Sequence, residues 1–199
     1  MKSDSPSRSL LLPVLLVVAA LAYRVAKLKF GMTDVIPNFG PWMALAFAGS
    51  MVMPRTFAWW VLPALFIACD RYIGSGHMGT MWTVYACYGI AAYAGSRLRK
   101  RSSVLLTLGG TAIGSLIFYI VTNTQAWYAN PVYAKSMAGW LQALTVGDPL
   151  YPQTWIFGMK SMMGDLGFAL LLVVAYNSEA IVRRLRALPV LSAPQVVAH

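Results

Sequence analysis

Mostly apolar runs, separated by short segments holding glycine, proline or charge, divide the 199-residue chain into about six stretches of membrane-spanning character. A helix rising 1.5 Å per residue needs about 20 such residues to cross a hydrocarbon core of ~30 Å. The last run, residues 154–176, carries Lys160 and Asp165 inside its apolar length. A charge near the bilayer centre costs roughly 2.5–3.5 kcal/mol on insertion scales, so one persists where it faces a bundle interior or a water-filled cavity. A polar site between helices is therefore the first expectation.

Composition agrees. Only 11% of residues are charged against 58% hydrophobic, and mean hydropathy is +0.61. A soluble domain holds about 25% charged residues, so the chain reads as one membrane domain with no room for a soluble catalytic unit. The other runs are residues 10–28, 42–53, 57–69, 81–95 and 103–122. Pro54 and Arg55 exclude one long helix across 42–69 and predict two short helices joined by a tight turn. A further amphipathic helix is expected over 137–144. The predicted organisation is an all-α integral membrane protein: a tail over residues 1–8, a six-helix membrane domain over 9–177 and a tail over 178–199.

The net charge of +10 resides in the segments between runs, which is membrane topology rather than a nucleic-acid footprint. The N-terminus, the second loop, the fourth loop (Arg97, Arg99, Lys100, Arg101) and the C-terminus hold ten Lys and Arg. The first, third and fifth loops hold five: Arg24, Lys27, Lys29, Arg71 and Lys135. Excess positive charge stays inside, which puts both termini in the cytoplasm and makes a bacterial inner membrane the expected location. A cleaved signal peptide, with Ala20-Leu21-Ala22 as its processing site, is the competing reading of the start; Arg24, Lys27 and Lys29 just afterwards argue against it.

With that orientation the unusual polar residues gather on the outer side. Asp34 and Asn38 lie in loop one, Asp70, Arg71 and His77 around loop three, and Asn123, Gln125, Trp127, Tyr128, Asn130, Lys135 and Asp148 in loop five. Lys160 lies about 10 Å into the last span and Asp165 deeper, at 1.5 Å per residue. An outward pocket is expected, its ligand-binding candidates being Asn38, Asp70, Asn123, Trp127, Tyr128, Lys160 and Asp165. The alternative is purely structural: interhelical salt bridges such as Lys160 with Asp70 or Asp165 with Arg71. Small residues at Gly110 and Gly114, Ala44 and Ala48, and Ala91 and Gly95 predict close helix packing.

Cys69 and His77 are the candidate metal-ligating residues, but two such groups eight apart suffice only for a metal carried by a cofactor. Cys87 lies mid-span and reads as core. Met163-Gly164-Asp165 approaches the Gly-x-Gly-Asp of intramembrane aspartyl proteases without its first glycine, and zinc-protease, nucleophile-elbow and phosphate-loop patterns are absent. No enzymatic activity and no intrinsic cofactor are expected. With no nucleotide site, ATP-driven transport would need a partner.

Several motifs together resemble a known group. Pro37-Asn38-Phe39-Gly40-Pro41, the run 44–49 (Ala-Leu-Ala-Phe-Ala-Gly), Pro63 and Asp70, then Thr122-Asn123 with Trp127, the stretch 133–139 and Gly164-Asp165-Leu166 resemble a family of small bacterial multipass transport-type proteins. The resemblance covers about residues 24–176. Those proteins are similar in size and span count to the substrate-binding S components of energy-coupling-factor vitamin transporters. What this implies is a six-helix bundle with cytoplasmic termini and an outward pocket for a vitamin, energised by an ATPase module. The solitary cobalamin-transporting type binds cobalt through a cysteine, a role that Cys69 resembles. The function so implied is uptake of a small cofactor or vitamin, cobalamin foremost. A ligand-free structural or assembly protein is the opposing class, and a membrane enzyme using Asp70, His77 or Asp165 a third.

Overall fold

The shortest apolar run becomes the centre of the bundle. In the computed structural model, which describes residues 10–31, 40–54, 56–74 and 78–186, the chain is all-helical. In order the helices are α1 (Leu11–Phe30), α2 (Trp42–Val52), α3 (Val61–Ile73), α4 (Met78–Leu98), α5 (Val104–Ala129), α6 (Met137–Leu144) and α7 (Thr154–Arg186). A 3-10 turn, Arg99–Arg101, joins α4 to α5. At 1.5 Å per residue α2 is only about 16 Å long, too short to cross a membrane. Instead α1, α3, α4, α5 and α7 pack around it, and every residue from Met43 to Met53 is buried.

Small residues make this hub possible. A Cβ at Gly110 would run into the Phe47 ring, and one at Gly95 into the Phe47 carbonyl. Gly114 faces Met43, while Ala44 and Ala48 pack with Ala169 and Leu172 of α7. The three small-residue pairs read from the sequence thus converge on α2, whose middle (Leu45–Gly49) is wound as a π-helix. Around it, Phe66 packs against Tyr88 at 5.1 Å and Tyr88 stacks on Phe118 at 5.3 Å.

Among the described residues three helices are both long and apolar enough to cross a membrane: α1, α5 and α7 over Thr154–Ser178. Their lipid-facing character is visible in exposed leucine, isoleucine and valine, such as Leu15 and Val18 on α1, Ile113 and Ile117 on α5, and Leu170 and Leu171 on α7. A soluble bundle would bury such stripes, so this is a membrane α-helical protein. α3 has 13 residues, and α4 has the length with a more polar and aromatic sequence.

Boundaries shift from the expected runs for physical reasons. The third helix occupies Val61–Ile73 rather than 57–69, because Phe57, Trp59 and Trp60 are apolar but form the turn after Pro54. It ends at Gly74, whose φ of 77° is costly for any residue with a Cβ. α5 continues to Ala129, past the expected end at 122, with the Thr122 and Thr124 hydroxyls turned back onto carbonyls one turn earlier, so that these polar residues fit within the helix. α7 runs to Arg186, so the expected tail over 178–199 starts as helix. α6 falls where expected, capped by the Ser136 hydroxyl. α1 passes unbroken through Ala20-Leu21-Ala22.

Candidate functional site

A helix that begins inside a membrane protein leaves amide hydrogens without partners. α2 begins after Gly40-Pro41, and Pro41 has no side chain that can cap it. The cap comes from α7. Asp165, 2% exposed, accepts the backbone N–H of Met43 at 2.9 Å and of Ala44 at 3.0 Å through Oδ1, and the Ser115 hydroxyl of α5 at 2.7 Å through Oδ2. Its negative charge also sits at the positive end of the helix dipole. The other end of α2 is closed by Arg99. Its Nε donates to the Ser50 carbonyl at 2.6 Å, and its two terminal nitrogens to Pro54 at 2.9 Å and Phe57 at 3.1 Å. One carboxylate and one guanidinium therefore clamp the hub helix from opposite ends.

A second buried carboxylate, Asp70 of α3, accepts Arg24 of α1 at 2.6 and 2.8 Å and the Tyr85 hydroxyl at 3.1 Å. The Arg24 guanidinium also lies 4.6 Å above the Trp42 ring, a cation–π arrangement. Asp70 thereby holds Arg24 against the amino end of α2.

Above that end opens a cavity of about 490 Å³. Arg24 and Lys27, three residues apart on one face of α1, give it a cationic wall. Trp42, Tyr88, Phe118, Tyr119 and Phe157 give it aromatic walls, and Ser115, the partner of Asp165, is among its lining groups. The connection 130–153 folds back to complete it with Tyr133, Asp148 and Tyr151. That connection is strapped down: the Trp140 indole donates to Thr124 at 2.9 Å, the Tyr119 hydroxyl to the Leu144 carbonyl, and Lys135 to the carbonyls of Trp127 and Asn130. Gly147, at φ 76°, turns against Thr154 where a Cβ would collide with the hydroxyl. Burial, helped by the Asp148 carboxylate, pushes the Tyr133 phenol up, keeping it a neutral donor. Size, aromatic walls and a few converging polar groups match a small-molecule site.

Of the expected ligand-binding residues, Asn123 lines this cavity. Asp165 and Asp70 stand one side chain behind it, through Ser115 and Arg24. Trp127 does not line it; its indole donates to the Ala134 carbonyl at 2.8 Å. Tyr128 is 77% exposed and lies outside the cavity. Asn38 and His77 lie outside the described residues. Cys69 is half-buried beside Asp70 and is not in the lining, and among the described residues no three His, Cys, Asp or Glu come together to hold a metal.

The structural pairings differ too. Asp70 is paired with Arg24 rather than Lys160, and Asp165 with amides and a hydroxyl rather than Arg71. Lys160 is half-buried and makes no hydrogen bond or ion pair among the described residues, against the expectation of a partner on another helix. Arg24 and Lys27 enter the sequence reading only as topology charges, yet their three-residue spacing on an apolar run marks one polar face. Arg99 was hidden in the same way, inside a basic cluster.

No curated protein and no solved structure matches the chain. A family does, over residues 4–188: the Family of unknown function (DUF6580). Nearly the whole chain is covered, so the protein belongs to DUF6580.

Proposed function

We propose that the protein is a membrane transport protein that takes up a small cofactor- or vitamin-like molecule through the cavity at the amino end of α2. The observation that carries this reading is the cavity itself: cations on one wall, aromatic rings on the others and a strapped connection across the mouth. Rings stack planar ligands, and Lys27, beside the Arg24 that Asp70 holds in place, suits a carboxylate or phosphate on them. The positive-inside count supports placing both termini in the cytoplasm of a bacterial inner membrane, with the cavity facing out. On the six-helix S-component-like plan, the 130–153 connection would open for the ligand, and tilting of the helices would release it inward. An ATPase module would supply energy if the protein is not solitary.

Within this reading a metal-free ligand fits better than cobalamin. Cys69, the residue that would reach cobalt, stands outside the lining, and about 490 Å³ lies in the lower half of the range for drug-sized ligands. The opposing structural reading has its own support, since Asp165, Asp70 and Arg99 all hold helices together. Native mass spectrometry of the purified protein, with a vitamin panel including cobalamin added, separates them. A bound small molecule that Ser161→Leu and Lys27→Gln weaken, with both variants still folded, is the expected result. No adduct from any source, or one untouched by both changes, would sink the transport reading. A shift in the cobalamin spectrum that Cys69→Ser removes would restore the corrinoid.

A further inference from the structure

The molecule has a second large concavity of a different kind, a groove of about 690 Å³ between α4 and α5. It exists because both helices turn small residues to it: Ala86, Cys87, Ala91 and Ala94 from α4, Gly109, Gly110 and Gly114 from α5, with Phe47 of α2 at the back. Its borders are exposed apolar side chains, Ile90, Leu105 and Ile113. From Leu105 to Val121 it follows α5 for roughly 24 Å at 1.5 Å per residue. That exceeds one leaflet of a ~30 Å core. The groove is not apolar throughout its surroundings. One end closes on Leu98 and Ser103, the two residues that bracket the Arg99–Arg101 turn. Arg99 is turned inward to α2 and Lys100 borders a separate small pocket with Met53 and Tyr176, while Arg97 and Arg101, to either side of these two, are exposed. The exposed hydroxyls of Ser102 and Ser103 and the amino end of α5 lie beside them.

We infer that this groove holds one acyl chain of an anionic phospholipid, with the phosphate at Arg97 and Arg101. An apolar trough longer than one leaflet that ends at exposed cations has room for a whole acyl chain and the charge pattern of such a lipid, and basic residues near a membrane surface favour anionic headgroups. A second copy of the chain is a poorer occupant. Two copies inserted the same way would bring their basic turns to the same depth, where like charges repel. This site is independent of the polar cavity, with which it shares no lining residue.

The test uses the whole protein, stripped of lipid in detergent and offered phosphatidylglycerol or phosphatidylcholine with identical chains, followed by native mass spectrometry. One phosphatidylglycerol should stay bound under activation that removes phosphatidylcholine. The double change Arg97→Gln, Arg101→Gln should cut that preference by about tenfold or more. Gly109→Leu should weaken both lipids, because a Cβ there meets nothing within 4 Å and the added side chain enters the groove without a clash. As a readout free of groove substitutions, Cys87 in a Cys69→Ser background should react more slowly with a maleimide when phosphatidylglycerol is present. Equal retention of the two lipids, a double variant that keeps the preference, or Cys87 labelling blind to lipid would each overturn the assignment. So would a dimer that Gly109→Leu dissociates, since the occupant would then be a second copy.

Discussion

Lys160 and Asp165 sit five residues apart on the same helix, inside the same apolar run, and the structure treats them in opposite ways. Asp165 is sealed among three donors and closes the amino end of α2. Lys160 is half-buried, beside the exposed Met159, and is bonded to no described group. The difference lies in length and depth. A short carboxylate can be answered only by donors within its reach, so a buried aspartate has to be built around. A lysine one or two turns from a helix end can carry its ammonium along a four-carbon stem towards the membrane surface. An intramembrane charge is thus a structural commitment in one case and a tolerated passenger in the other.

Replacing Asp165 by Ala is the change with the largest expected effect. Two amides and a hydroxyl lose their acceptor in a buried site, which costs about 3–5 kcal/mol in total. Folded yield and thermal midpoint in detergent should both collapse. If Asp165→Ala folds normally and only ligand binding is lost, the carboxylate belongs to the ligand rather than to α2. Arg99→Met comes next, at about 2–4 kcal/mol for three abandoned carbonyls. Arg99→Lys should recover only part of this, because an ammonium cannot reproduce the planar fork; full recovery would show that charge alone holds the carboxyl end of α2. Asp165→Asn should be milder than either. Its amide oxygen still accepts from Met43 and Ala44, and its nitrogen can donate to the Ser115 hydroxyl. Lys160→Leu should be the smallest, within about 0.5 kcal/mol of the parent or stabilising. A large loss there would reveal a partner for the ammonium and erase the contrast with Asp165.

That contrast also marks how far the residues alone could be read. The charges of the last run were visible as exceptional, and small residues at Gly110, Gly114, Ala44 and Ala48 were visible as packing faces. The partner of Asp165 was not, because backbone amides carry no letter. One signal did point to it: the run after Gly40-Pro41 starts a helix with no Ser, Thr, Asp or Asn to cap it, so the cap had to come from elsewhere. Helix ends were blurred where aromatics such as Trp59 and Trp60 count as apolar while lying in a turn. In the cavity, Asn123 was legible as a polar residue at the end of an apolar run. Trp42, Tyr88 and Phe118 were not, since an aromatic facing a cavity and one facing the core have the same sequence signature.

The partition between the polar cavity and the apolar groove is very thin. On three helices consecutive residues serve opposite compartments: Trp42 and Met43 on α2, Tyr88 and Cys87 on α4, Phe118 and Ile117 on α5, the first of each pair lining the cavity and the second the groove. At each of these points a single helix divides a polar chamber from an apolar trough. Consecutive residues on a helix are about 100° apart. Twisting α4 or α5 by that angle in one sense would carry Cys87 or Ile117 from the groove to the direction that Tyr88 or Phe118 now faces.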